Sequence, residues 1–267
     1  MGLTRLLRGS ELIDRLSVQS VHERKLRRFF GDARMMSDEG RSERPHLVLL
    51  LFYNRCGSNL LAEHLRSTAV FSGFYEQLNH NVVEHASKRL DAKTFAQCLD
   101  AMAQRDGGGK KIYGFKASWD QLMMLHRSRY LGRFKRVQAV HMVRESRLDQ
   151  AVSLLIANQT KSWTSQQPSA MESGIKYDPR QLRKILSAIH EAEQLSSLAC
   201  ELLEIERLTV TYDQVVASPK TSVANIADFV GRDIGDWSPH PPKMEKQASE
   251  VNSAFKHRFI AETRGLL

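Results

Sequence analysis

From His46 to Tyr53 the chain reads H-L-V-L-L-L-F-Y, an apolar run of strand length with no polar alternation. A strand that excludes water from both faces belongs inside a sheet covered on both sides, as parallel sheets are. Next come Asn54-Arg55-Cys56-Gly57-Ser58-Asn59 and then Leu60-Leu61-Ala62-Glu63-His64-Leu65-Arg66, a stretch of good helix formers with an apolar stripe. Strand, tight loop and helix in that order predict an α/β unit. Further strands are predicted at Val70 to Tyr75, Ile112 to Ala117, Val137 to Val143 and Leu208 to Tyr212. Helical patterns separate or follow them at 94 to 104, 119 to 127, 147 to 158, 180 to 203 and 220 to 230. The alternation predicts an α/β fold with a P-loop-like, doubly wound parallel sheet flanked by helices.

A chain of 267 residues, 42% of them hydrophobic, can bury one sizeable core. We therefore expect one main domain over 45–267, preceded by a basic helical extension and linker over 1–44. In the extension, Leu12, Ile13, Leu16, Val18, Val21, Leu26, Phe29 and Phe30 alternate with arginines and lysines, and the polar stretch Ser37 to Arg44 ends it. Such a segment reads either as accessory helices packed on the main domain or as a patch for an anionic membrane surface. The net charge of +9 predicts attraction to polyanions. Aromatic content is only 7% and no nucleic-acid module is recognisable, so a nucleic-acid partner is not expected. The three cysteines, Cys56, Cys98 and Cys200, lack C-x-x-C spacing, which suggests neither zinc nor a disulfide framework. No apolar run suits a signal peptide or a membrane span. The expected location is cytoplasmic, with a peripheral position at the inner membrane surface and a homodimer both left open.

Two places carry chemistry. In a doubly wound sheet the loop leaving the first strand is the favoured anion site. There Gly57 would let the backbone approach a ligand, the amides of residues 57 to 60 would open a helix N-terminus, and Arg55 and Ser58 would add donors. The first glycine and the Gly-Lys-Ser/Thr ending of a Walker A loop are absent, which weakens a kinase or nucleotide-hydrolase reading. The second place is the strand ending at Val143, followed by Arg144 and a helix bearing Ser153, which together can hold one phosphate. A donor with separate 5′ and 3′ anionic ends needs two such sites.

The run R-C-G-S-N-L-L-A-E-H-L-R-S-T from Arg55 to Thr68, with Glu76 eighteen positions after Ser58, resembles the bacterial trehalose 2-sulfotransferase family. Tyr113 to Leu122, Arg144 to Ser153, Gln159-Thr160-x-x-Trp163, Tyr212-Asp213 with Pro219, and Lys246-Gln247 with Arg258 extend the resemblance in order over residues 46 to 262. It implies a sulfotransferase that uses 3′-phosphoadenosine 5′-phosphosulfate (PAPS) as co-substrate, without a metal, and moves the sulfuryl group to a hydroxyl of a small-molecule carbohydrate or a glycolipid. Arg55, Gly57, Ser58 and Asn59 would hold the 5′-phosphosulfate, and Arg144 and Ser153 the 3′-phosphate. Glu76 would be the general base and Arg55 the catalytic cation, with Lys116 opposite and Trp163 against the sugar.

Several residues depart from the family pattern. Cys56 introduces a thiol next to cationic groups, which would lower its pKa. Glu145 stands where a second basic residue is common, so Arg147 or Lys246 is expected to complete the 3′-phosphate site. Phe255 replaces a usual tryptophan. Trp119 and His141 read as core residues, and His64 as structural or solvated.

Overall fold

A computed structural model describes residues 11–37, 40, 45–107, 112–162, 174–240 and 250–265. In chain order the elements are α1 (residues 11–17), α2 (Val21–Phe30), α3 (Asp32–Met35), β1 (His46–Phe52), α4 (Ser58–Ser67), β2 (Phe71–Tyr75), α5 (His80–Arg89), α6 (Phe95–Gly107) and β3 (Ile112–Ala117). They continue with α7 (Trp119–Arg127), β4 (Arg136–Val143), α8 (Arg147–Thr160), α9 (Pro179–Leu202), β5 (Glu206–Thr211), α10 (Tyr212–Ala217), α11 (Pro219–Phe229) and α12 (Glu250–Arg264).

The continuous apolar run becomes the central strand of a five-stranded sheet in the order β2-β3-β1-β4-β5. Every pairing is parallel. Within β1 the side chains alternate between two cores. Leu47, Leu49 and Leu51 pack with α2, α5, α6, α7 and α9, whereas Val48 and Leu50 pack with α4 and α11. That two-sided burial is why no polar residue interrupts the strand. The chain turns to β3 and β2 on one side of β1 and to β4 and β5 on the other, so the switch point lies at β1 and the ligand crevice at the carboxyl edge beside it.

All five expected strands are present. Helices α5 and α12 were not anticipated. The buried positions of α5 are His80, Val83, Ala86 and Ser87, too polar to read as an apolar stripe, and α12 buries only Phe259 among its described residues.

Helices α1 and α2 of the extension are built into the main core. Leu16, Leu26, Phe30 and Met35 belong to the same buried cluster as Leu47 and Phe115. Ser20 caps α2 through the amide of Glu23, and the Glu23 carboxylate, with no exposed surface, lies 2.6 Å from Arg127 of α7 and 3.1 Å from Arg27. A carboxylate taken from water this completely needs such partners.

His141 of β4 is buried in the core, as expected. Burial, and after it the positive charge of Arg207, pushes its pKa down to about 4. Since the unfolded chain takes up that proton from its ordinary value of 6.5 downward, stability is expected to fall as pH drops from 6.5 toward 4. The loss reaches about 3 kcal/mol at the lower end. Urea unfolding across this window should show it, and His141→Gln should flatten the slope. An unchanged slope in the variant would assign the acid sensitivity elsewhere.

Candidate active site

Arg55, Glu76 and Arg144 follow the carboxyl ends of β1, β2 and β4, and Lys116 lies at that of β3. After β1, Arg55 takes a left-handed backbone (φ 67°) and Gly57 another (φ 93°). A Cβ on Gly57 would sit 2.3 Å from Cδ2 of Tyr212, so the loop closes against that ring only because residue 57 has no side chain. Gly57 is the N-cap of α4, with no side-chain capping bond and no acidic residue in the first turn, which leaves the helix N-terminus suited to an anion. Gln150 fixes the loop by donating from Nε2 to the carbonyl of Asn54 at 2.9 Å.

Arg55 and Ser153, assigned from sequence to different ends of the donor, meet here. The Arg55 Nε–H donates to Ser153 Oγ at 2.9 Å. Burial depresses the pKa of Arg55, and the neighbouring Arg144 depresses it further. Two guanidinium groups held this close repel each other, and a bound anion relieves that repulsion. Arg144 lies over the ring of Tyr212, 4.9 Å from its centroid. Tyr212 therefore braces both Gly57 and Arg144, a role that its place in a Tyr-Asp turn did not reveal. Glu145 accepts a bond from the Thr211 hydroxyl at 3.2 Å and is otherwise exposed.

Lys116, at the end of β3, is 2% exposed. Its ammonium lies 2.9 Å from Glu76 Oε1, also donates to Asn59 Oδ1, and sits 4.4 Å from the ring centroid of Phe52. Lys116, expected opposite Arg55, thus forms a direct ion pair with Glu76, and Asn59 holds the lysine. Glu76 itself is 55% exposed, so its carboxylate is anchored on one side and open to solvent on the other.

Glu76 reaches this position through a bulge. The pairing of β2 with β3 shifts between Gly73 and Tyr75, and Phe74 takes a left-handed φ of 56°. A Cβ on Gly114 would strike the Phe74 ring at 2.2 Å, so β3 carries glycine opposite the bulge. An isolated Gly73 inside a strand pattern was the signal available for this device.

Trp163 and Lys246 lie outside the described residues. Cys56 requires a correction: its thiol is buried, and burial pushes its pKa up, outweighing the nearby Lys116 cation and the hydrogen bonds from Ser58 that lower it. Trp119 is half-buried against the core. Among the described residues no group of three or more His, Cys, Asp or Glu is placed to hold a metal ion.

The family profile of Stf0 sulphotransferases matches residues 48–262, the span that holds all of these groups. The chain belongs to the Stf0 sulphotransferase family. It is a sulfotransferase, and the kinase reading is not favoured. Among solved structures, the sulfotransferase domain from the curacin biosynthetic pathway is similar to this Stf0 sulphotransferase at 13% identity and a TM-score of 0.50, covering 79% of this chain and 82% of that one. The sulfotransferase domain of the Synechococcus PCC 7002 olefin synthase matches at 14% identity, covering 84% and 97%, with a TM-score of 0.48. Mouse sulfotransferase SULT7A1 in complex with PAP matches at 12% identity, covering 86% and 70%, with a TM-score of 0.42. The likeness to the first of these is one of fold. No curated protein matches the chain significantly. Among the described residues no helix is long and apolar enough to cross a membrane.

Proposed function

We propose that the enzyme transfers the sulfuryl group of PAPS to a hydroxyl of a carbohydrate, either a free disaccharide or the sugar of a glycolipid. The observation that carries the donor reading is the meeting of Arg55, Ser153 and Arg144 beside an uncapped helix N-terminus. This donor set fits a phosphosulfate on one side and a second phosphate on the other, each charge-assisted bond contributing roughly 1.5 to 3 kcal/mol. When bound, PAPS supplies an electrophilic sulfur joined to a phosphate leaving group. Arg55, Gly57, Ser58 and the α4 amides would bind the 5′ end, and Arg144 with Ser153 the 3′-phosphate. Lys246, and Trp163 on the acceptor side, extend this assignment.

In this reading Glu76 takes the proton of the acceptor hydroxyl as its oxygen bonds to sulfur and the sulfur–oxygen bond to the phosphate breaks. Lys116 orients the carboxylate and, with Arg55, offsets charge developing on the leaving oxygen. Asn59 serves the site by steering Lys116.

In thermal-shift titrations, 3′-phosphoadenosine 5′-phosphate should raise the melting temperature by several degrees at saturating concentration, and AMP should not. Arg144→Ala should remove the difference. Equal stabilisation by the two nucleotides would remove the argument for a 3′-phosphate site. Labelled PAPS with a panel of disaccharides, glycolipids and lipopolysaccharide fragments tests the acceptor class, and label entering none of them would overturn it. The exposed face of α2, with Val21, Arg24, Lys25, Arg28 and Phe29, suits a peripheral position on an anionic membrane surface.

A further inference from the structure

Outside the anion cradle, one cluster of titratable groups joins the extension to the segment that carries Glu76. A turn links β2 to α5, closed by the Asn79 amide donating to the Glu76 carbonyl at 3.2 Å. His80 opens α5 directly after it and is 8% exposed. Its ring is held at both nitrogens by α2: Nδ1 lies 2.9 Å from Nδ1 of His22, and Nε2 lies 2.9 Å from Nζ of Lys25. The backbone amide of His80 also donates to His22 Nδ1, at 3.2 Å.

Donor and acceptor counting fixes both tautomers. An ammonium only donates, so His80 Nε2 accepts and the ring proton sits on Nδ1. That proton goes to His22 Nδ1, which receives the His80 amide as well and therefore carries no hydrogen. His22 then bears its proton on Nε2. An additional proton on His22 Nδ1 or on His80 Nε2 would set donor against donor. The charged groups that act on His22 are Lys25 on α2, Asp120 on α7 and Glu76 on the turn. Burial first, and Lys25 and His80 with it, hold His22 in the neutral form against the pull of Asp120 and Glu76. Helix α2 lies outside the span matched by the family profile.

We propose that His80, clamped between His22 and Lys25, is a positioning residue for Glu76, so that the N-terminal extension aims the base of this sulfotransferase. The inference rests on the reading of Glu76 as the base. It gives the extension a task in acceptor activation, whereas donor binding at Arg55 and Arg144 should not depend on it.

Nitrogen-15 imidazole spectra of the full chain should show His80 protonated at Nδ1 and His22 at Nε2 near neutral pH; the opposite tautomer at His80 overturns the proposal. Hydrogen exchange of residues 75–80 should rise in His22→Ala and stay near wild type in His22→Gln, whose amide oxygen accepts the same proton. With labelled PAPS and the sugar that takes label in the panel above, His22→Ala should lower kcat about tenfold with the KM for PAPS unchanged. His22→Gln should recover most of that loss and move the acid limb of the pH–rate profile downward. An acid limb that stays in place, or a turn whose exchange is indifferent to both substitutions, overturns it. If Glu76→Gln turns over normally the base lies elsewhere. If Glu76→Gln is inactive while the His22 variants behave as wild type, only the clamp is wrong.

Discussion

Replacing Glu76 by glutamine is expected to lower kcat by roughly two to four orders of magnitude, the usual contribution of a general base. Its affinity for 3′-phosphoadenosine 5′-phosphate should stay within about twofold, since donor-binding groups are untouched. Glutamine is the informative substitution because its amide oxygen still accepts from Lys116, which is buried and, among the described residues, otherwise keeps Asn59 and the ring of Phe52. Glu76→Ala should lose activity to the same extent and, in addition, about 1 to 3 kcal/mol of stability from the half-stranded ammonium. Single-turnover transfer together with the thermal-shift titration separates the two effects. A Glu76→Gln enzyme with more than a tenth of wild-type kcat would move the base to another group.

The second large effect should be on stability. Glu23 accepts from Nε and Nη2 of Arg127 and from Nε of Arg27, and none of its surface is exposed. Losing the buried carboxylate breaks both ion pairs and leaves Arg27 with Asp32 and Arg127 with the Leu16 and Val18 carbonyls, so Glu23→Ala should cost about 3 kcal/mol, the low end for a buried pair. For a domain of this size that corresponds to a fall in melting temperature on the order of 10 °C. Chemical denaturation of the two proteins checks it, and a loss below about 1 kcal/mol would mean that the arginines find water when the carboxylate is gone. For the same reason, deleting residues 1–44 should give an insoluble protein, because Leu16, Leu26, Phe30 and Met35 cover part of the main core.

Much of this architecture was legible along the chain. The run from His46 to Tyr53 announces a strand buried on both faces, and the Arg55–Asn59 loop followed by an apolar-striped helix announces the strand–loop–helix unit. Both signals are local: a few residues in register suffice, and no distant contact is needed to recognise them. Helix α5 was illegible because its buried face uses His80, which finds polar partners on helix α2, and Ser87, whose hydroxyl donates to the Ala92 carbonyl just past the helix end. The acidity of Cys56 was misjudged for a related reason. Arg55 beside it is visible in sequence, whereas the burial that raises the thiol's pKa is not.

The loop after the first strand shows where the division falls. Sequence by itself determined the residue types at that loop, the order of strands and helices around it, and the family to which the chain belongs. Only the tertiary structure decided that Ser153 bonds Arg55, that Tyr212 closes over Gly57 and supports Arg144, that Lys116 is buried against Glu76, and that helix α2 reaches the turn beside them. Each of these is a contact between segments far apart in sequence. Which partners meet depends on how the sheet orders its strands and on which side chains lose their water when it forms.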